Sequence, residues 1–323
     1  MFLEEEIYFN SFDGGSEIYA KFWIAEKPKM LLQIAHGMVE HILRYEEFAK
    51  FLNNHGIVVF GNDHLGHGNT AKNEDDFGYF ANEDGDKAIV ENMYSLTKIA
   101  KEKYPDLPIF FLGHSMGSFL LRNYLFKYGQ YIDGAIIMGT GNQNPSIIKT
   151  GIKLTNKIAN AKGWNYRSKI IDKLAFGSFN KKFGKKDGKE WLSRDSKKVF
   201  EYTNDYKCNF IFTLNAYNNL FKIIDTLNKK ENLEKMPKDL HILFMAGDKD
   251  PVGNFGKEVL NTYNKFKEFN MENTECKLYK DYRHEILNEL DREVVFNDIL
   301  NWLEKVYYLK SQKNACNENI TVV

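Results

Sequence analysis

The sequence has few of the residues that would announce a stapled or membrane-embedded protein. Only three cysteines (Cys208, Cys276 and Cys316) occur in 323 residues. Odd in number and far apart, they suit neither a disulfide framework nor a cysteine metal site. No window approaches the roughly 18 uninterrupted apolar residues of a spanning helix. The opening "MFLEEEIYFNSF" is acidic at once and lacks the basic stretch and apolar core of a secretory signal. Basic and acidic side chains number 44 each, so no net charge draws the chain toward nucleic acid. These absences predict a cytoplasmic, reduced protein with no nucleic-acid partner.

What is present is strand–helix alternation. "KMLLQIAHG" (29–37), "GIVVFGND" (56–63), "PIFFLGHS" (108–115) and "DGAIIMGT" (133–140) are continuous apolar runs, as strands buried on both faces require. Amphipathic stretches separate them, and Gly56, Pro105 and Gly129 fall where those helices should stop. "HILFMAGD" (241–248) and "ECKLYKD" (275–281), each followed by a helical pattern, add two more strands, and residues 5–25 alternate about Gly14-Gly15 as a hairpin. The expected fold is α/β: a mostly parallel sheet with helices on both faces. Residues 142–235 show helical spacing without a strand and are expected to form an insertion. Core segments are assigned to 1–141 and 236–309, and the polar 310–323 is read as a loose tail.

Residues 113–117 read "GHSMG", directly after an apolar strand and at the start of a helix, which is the context of a nucleophile elbow. Ser115 is the candidate nucleophile, and side chains at Gly113 or Gly117 would collide with neighbouring backbone. A serine needs a base, and in this architecture acid and histidine follow it in chain order. Of eight histidines only His284 lies beyond the strand starting near residue 240. For the acid, "GDKDPVG" offers Asp248, which could cap a turn, and Asp250, which Pro251 biases toward an outward-reaching extended form. Asp250 is favoured. The backbone N–H groups of Met38, in "AHGMVEHILRY", and of Met116 are the expected oxyanion donors. His36, Glu40, His41 and Arg44 crowd the same loop, where structural hydrogen bonding is the first expectation. Asp63, His64 and His67 in "NDHLGHGNT" match no tight ligand spacing, so no metal is expected.

Five segments in order, "HGMVEHILRY", "DHLGHGNT", "GHSMGS", "GDKDPVG" and "RHEILNE", resemble the monoacylglycerol lipase/lysophospholipase family of α/β-hydrolases. The resemblance spans about residues 15 to 305. It implies an α/β-hydrolase fold, a triad of Ser115, Asp250 and His284, oxyanion donors at Met38 and Met116, and no cofactor. The stretch beginning "WLSRDSKKVFEY" resembles the family's lid, and Tyr202 there matches a tyrosine implicated in contacting the substrate's alcohol portion. Tyr202, and Arg44 of the "HGMVEHILRY" segment, are the candidate substrate contacts. One position departs: eukaryotic members carry a second histidine three residues after the catalytic one, where this chain has Leu287.

Residues 145–205 carry fifteen Lys and Arg against six Asp and Glu. Such a basic lid, with Lys181, Lys182, Lys185 and Lys186 prominent, would suit an anionic lipid surface. Its apolar residues, Ile170, Ile171, Leu174, Phe176, Phe179, Phe210, Phe212, Leu214 and Phe221, are expected to offer one face to an acyl chain. The expected function is a serine carboxylester hydrolase acting on monoacylglycerols or lysophospholipids. A serine aminopeptidase of the same fold would need lid carboxylates to hold a free amine. A non-catalytic binding protein would show a broken triad. Epoxide hydrolases and dehalogenases require aspartate at the elbow.

Overall fold

The computed structural model describes residues 3–184 and 188–320. The Gly14-Gly15 turn joins β1 (Leu3–Asn10) to β2 (Glu17–Ile24) as an antiparallel hairpin. Six strands follow: β3 (Met30–Ala35), β4 (Ile57–Asn62), β5 (Ile109–His114), β6 (Gly134–Met138), β7 (His241–Gly247) and β8 (Thr274–Tyr279). All eight form one sheet in the order β1-β2-β4-β3-β5-β6-β7-β8. The β1–β2 and β2–β4 pairings are antiparallel; those from β4 through β8 are parallel.

The helices are α1 (Glu46–Asn53), α2 (Gly85–Lys103), α3 (Met116–Tyr128), α4 (Pro145–Lys162), α5 (Lys169–Phe176), α6 (Ser196–Asn204), α7 (Leu214–Thr226), α8 (Lys230–Lys235), α9 (Lys257–Glu268) and α10 (Arg292–Ile320). The apolar runs are continuous because the sheet is covered on both sides. Along β5, Ile109 and Phe111 enter one core with α2, α3 and α9, while Phe110 and Leu112 enter a second with α1 and α10. The same alternation holds in β4, β6 and β7. Each such fully buried Phe, Ile or Leu side chain contributes about 1.5–3 kcal/mol.

Between β6 and β7 the described residues form helices and turns only, α4 to α8. Asn144 accepts a hydrogen bond from Ser146 N with Pro145 at the first helical position, a strong start for α4. Thr213 caps α7 in the same way, and α4 and α7 pack on each other, with α7 also against α2 and α3. Residues 310–320 of the expected tail lie within α10 (Arg292–Ile320), and 321–323 lie outside the described residues. Neither proline nor glycine interrupts that stretch, and nothing there obliges the helix to stop. No helix among the described residues is long and apolar enough to cross a membrane.

Candidate active site

Each candidate residue sits just beyond the carboxyl end of a strand. Met38 follows β3, Ser115 follows β5, Asp250 follows β7 and His284 follows β8. This edge of a parallel sheet is where α/β proteins bind ligands. Ser115 occupies φ 53°, ψ −117°, a strained conformation for a residue with a side chain. Its N–H bonds Met138 O at 3.0 Å, fixing the turn to β6. A Cβ on Gly117 would strike the Ala35 and His36 carbonyls, and one on Gly113 would strike the Gly117 carbonyl. Only glycine lets α3 leave the sheet so sharply.

His284 is buried and its Nδ1 lies 2.9 Å from Asp250 Oδ2, itself buried. Asp250 Oδ1 accepts Val252 N at 2.8 Å, so both carboxylate oxygens are engaged. The alternative acid has another use: Asp248 Oδ1 accepts the Asp281 N–H at 2.7 Å, tying together the loops after β7 and β8. Gly139 links serine to histidine. It follows Met138, which holds Ser115, and a Cβ there would sit 3.2 Å from His284 Cε1. Gly37 is as close on the other side, where a Cβ would lie 3.1 Å from Ser115 Cβ. Among the described residues neither the Met38 nor the Met116 amide has an acceptor, and Met116 opens α3, whose dipole favours negative charge.

Behind this edge lies a buried charged cluster. Arg44 grips both oxygens of Glu285, at 2.8 and 2.7 Å, and Glu40 Oε2 at 2.7 Å. Glu40 Oε1 accepts from Gly37 N (2.5 Å) and Tyr45 Oη (3.0 Å) and meets His114 Nδ1 at 3.1 Å. Burial disfavours the Glu40 carboxylate, yet the His114 hydrogen bond and the Arg44 charge hold its pKa well below the ordinary value. Burial likewise opposes ionisation of Glu285, and Arg44 outweighs it. Tyr202 is buried with the Arg44 guanidinium 4.8 Å above its ring. The two candidate substrate contacts thus meet each other, but Arg44 spends its donors on carboxylates.

Of the histidines of "NDHLGHGNT", His67 is tied into the neighbouring loops, whereas neither buried ring nitrogen of His64 meets a hydrogen-bond partner among the described residues. His67 Nε2 accepts Val39 N at 3.2 Å, and its Nδ1 bonds Leu65 O at 3.0 Å. Asp63 accepts from Ile42 N (2.7 Å) and Asn69 N (2.6 Å). Burial pushes His64 down to about 3 and His67 to about 4, and holds His36 well below its usual value.

The insertion reaches the histidine directly. Trp191 O accepts His284 N at 3.3 Å, Leu192 O accepts Glu285 N at 2.7 Å, and the Trp191 ring lies 5.0 Å from that of His284. Sequence reasoning did not single out Trp191, His114 or Glu285. The available signals were slight: His114 is the second residue of "GHSMG", Glu285 adjoins His284, and Trp191 heads the lid-like stretch. The apolar set assigned to an acyl-binding face divides. Phe212, Leu214 and Ile171 are buried in the core, whereas Ile170 and Leu174 point to solvent. Helical spacing marks an apolar face without saying which neighbour covers it.

Eight strands of this order, a serine elbow after β5 and a buried Asp–His pair after β7 and β8 define an α/β-hydrolase. The chain belongs to the family described as Serine aminopeptidase, S33, whose model matches residues 26–291. A monoglyceride lipase homolog of Monkeypox virus is 28% identical over 302 residues, covering 88% of this chain and 94% of that protein. A monoacylglycerol lipase of Mycolicibacterium smegmatis is 24% identical, covering 90% and 94%. Among solved structures, a thermostable carboxyl esterase from Bacillus coagulans, in complex with glycerol, superposes with a TM-score of 0.88 at 30% identity over 95% of this chain and all of that one. The protein is accordingly a carboxylic ester hydrolase.

Proposed function

We propose that this chain hydrolyses single-chain lipid esters, monoacylglycerols or lysophospholipids, through an acyl-enzyme on Ser115. The observation that carries the reading is the 2.9 Å His284–Asp250 pair beside a serine held at φ 53°. Asp250 keeps the imidazole with its proton on Nδ1, leaving Nε2 to take the Ser115 proton as oxygen attacks the ester carbonyl. The Met38 and Met116 amides then bind the oxyanion. His284 returns the proton to the leaving alcohol, and water attacks the acyl-enzyme by the same route in reverse. No step calls for a cofactor. The relatives' names, monoglyceride lipase and monoacylglycerol lipase, support the substrate class. Leu287 is buried in the core beside α10, so a glycerol head group would be held without a histidine at that position.

The insertion acts as a lid in this reading, and its basic surface would favour an anionic lipid interface. Lys182 stands 3.8 Å over the Phe255 ring near the acid loop; Lys185 and Lys186 lie outside the described residues. The same excess of positive charge disfavours the aminopeptidase alternative, which must hold a substrate ammonium. The test is a panel of monoacylglycerols, lysophospholipids, short nitrophenyl esters and aminoacyl anilides with wild type and Ser115→Ala. Lipid esters should be cleaved only by wild type. Undiminished turnover by Ser115→Ala would overturn the mechanism, and preference for anilides would overturn the substrate class.

A further inference from the structure

Outside the triad, one cluster brings together three different metal-ligating side chains. A ring nitrogen of His41, a carboxylate oxygen of Asp205 and the thiol of Cys208 lie within 4.8 Å of one another. His41 and Cys208 are buried, and Asp205 is partly exposed, giving the cluster an entrance from solvent. His41 Nε2 is 2.7 Å from Asp205 Oδ2. Asp205 and Cys208 flank a single 3₁₀ turn, Tyr206–Cys208, closed by Cys208 N bonding Asp205 O at 2.9 Å. Side chains three apart in such a turn lie on one side. Asp205 Oδ1 accepts Lys207 N at 2.9 Å, orienting the carboxylate and leaving Oδ2 to face His41. Lys207 Nζ in turn bonds Asn69 Oδ1, anchoring the turn to the 62–70 loop.

We propose that His41, Asp205 and Cys208 form a site for one zinc-class divalent ion that latches the insertion onto the loop carrying Met38. One nitrogen, one carboxylate oxygen and one sulfur suit the borderline-soft zinc ion, and three protein ligands leave a fourth position for water. Tetrahedral bonds of ordinary length set ligand atoms about 3.3–3.6 Å apart. The 2.7 Å His–Asp pair would therefore open while the widest separation closes by about 1 Å, a side-chain adjustment. The charges permit it: the carboxylates of Glu40, Asp205 and Glu285 face the cluster alongside the cations Arg44, Lys189 and Lys207. On binding, the Cys208 proton passes to solvent and a sulfur–metal bond forms, so affinity rises with pH. The site is distinct from the Asp63, His64 and His67 group that the spacing had excluded.

His41 lies three residues beyond Met38, and Asp205 and Cys208 belong to the insertion, so the ion would tie the loop after β3 to the insertion and stiffen the two against each other. Slowed ester turnover is the expected consequence; that clause rests on the proposed function, whereas binding does not. The experiment titrates metal-free full-length protein with zinc chloride by calorimetry and with cobalt chloride by absorption. Wild type should take up one equivalent and show a thiolate-to-cobalt charge-transfer band. Cys208→Ser should abolish the band, Cys276→Ser should keep it, and His41→Gln should weaken zinc binding at least about tenfold. Zinc should slow ester hydrolysis by wild type, reversibly with chelator, but not by Cys208→Ser. No band in wild type, or zinc uptake unchanged in both site variants, would overturn the site; bound zinc without slowed hydrolysis would overturn the latch. Circular dichroism shows that each variant is folded, and a failure of lipid-ester hydrolysis itself would leave the band untouched.

Discussion

Asp250→Asn separates the catalytic assignment from a merely structural one. Asparagine is nearly isosteric, and its carbonyl oxygen can still accept the Val252 N–H now bonded at 2.8 Å. Its amide, however, presents an N–H where Asp250 Oδ2 now meets His284 Nδ1 at 2.9 Å. The imidazole must then carry its proton on Nε2, where it cannot accept one from Ser115. Loss of the working tautomer lowers kcat by about 10⁴-fold, or about 5.5 kcal/mol of barrier, with KM little changed. Asp248→Asn is the paired control. The Asp248 side chain bonds only the Asp281 N–H and Lys249 among the described contacts, so its replacement costs about 1 kcal/mol of stability and leaves kcat near wild type. Nitrophenyl ester hydrolysis under saturating substrate, with urea unfolding of both variants, reads the two effects separately. An Asp250→Asn enzyme within tenfold of wild type, or an Asp248→Asn enzyme equally impaired, would refute the assignment.

Three other perturbations follow from the same geometry. Arg44→Ala strands two buried carboxylates, Glu40 and Glu285, and should cost about 3–5 kcal/mol; Arg44→Lys, unable to fork across Glu285, should recover only part of it by urea midpoint. Trp191→Ala removes the ring 5.0 Å from His284 and should lower kcat by up to about 10²-fold through misplacement, with Trp191→Phe keeping most activity in the same assay. Acidification should weaken the fold early. Unfolded histidine takes up a proton near pH 6.5, while burial holds His64 at about 3 and His67 at about 4. The unfolded state therefore binds more protons across that interval, and stability falls as pH drops from about 6.5 toward 4. Urea midpoints between pH 7.5 and 5 should decline, and His67→Gln should flatten the slope.

The sheet was legible because its strands are buried on both faces. Phe110 and Phe111 both had to be apolar, although they enter different cores. The elbow was legible for a steric reason, since Gly113 and Gly117 sit where any Cβ meets backbone. His284 was singled out by chain order, a rule of topology that needs no coordinates, and the structure sets it 2.9 Å from Asp250. Other features rest on contacts distant in sequence, which periodicity does not encode. Arg44 meets Glu285 across 241 residues, and His41 meets Asp205 across 164. The outward turn of Ile170 and Leu174 belongs to the same class. The spacing of α5 allowed an apolar face, and only the packing of its neighbours decided which residues that face would bury.

The backbone of residues 190–194 changes what the insertion is. Arg283 donates to Glu190 O at 2.6 Å and to Ser193 O at 3.0 Å, His284 N bonds Trp191 O, and Glu285 N bonds Leu192 O. Arg194 closes the seam on Glu289 at 2.8 Å. Three consecutive residues of the histidine loop are therefore held by the insertion, and the third is also held by Arg44 from the segment after β3. Breaking this seam would loosen His284 from its place beside Asp250, so in the proposed mechanism the seam belongs to the catalytic scaffold. An opening wide enough for an acyl chain has to come from elsewhere in the insertion, where fewer contacts oppose it. Helix α5 qualifies: Ile170 and Leu174 are exposed there, and its Asp172 holds Tyr217 Oη by a single 2.7 Å hydrogen bond. In the proposed mechanism, movement of α5 over a fixed 190–194 seam would let substrate enter without dismantling the proposed triad it must meet.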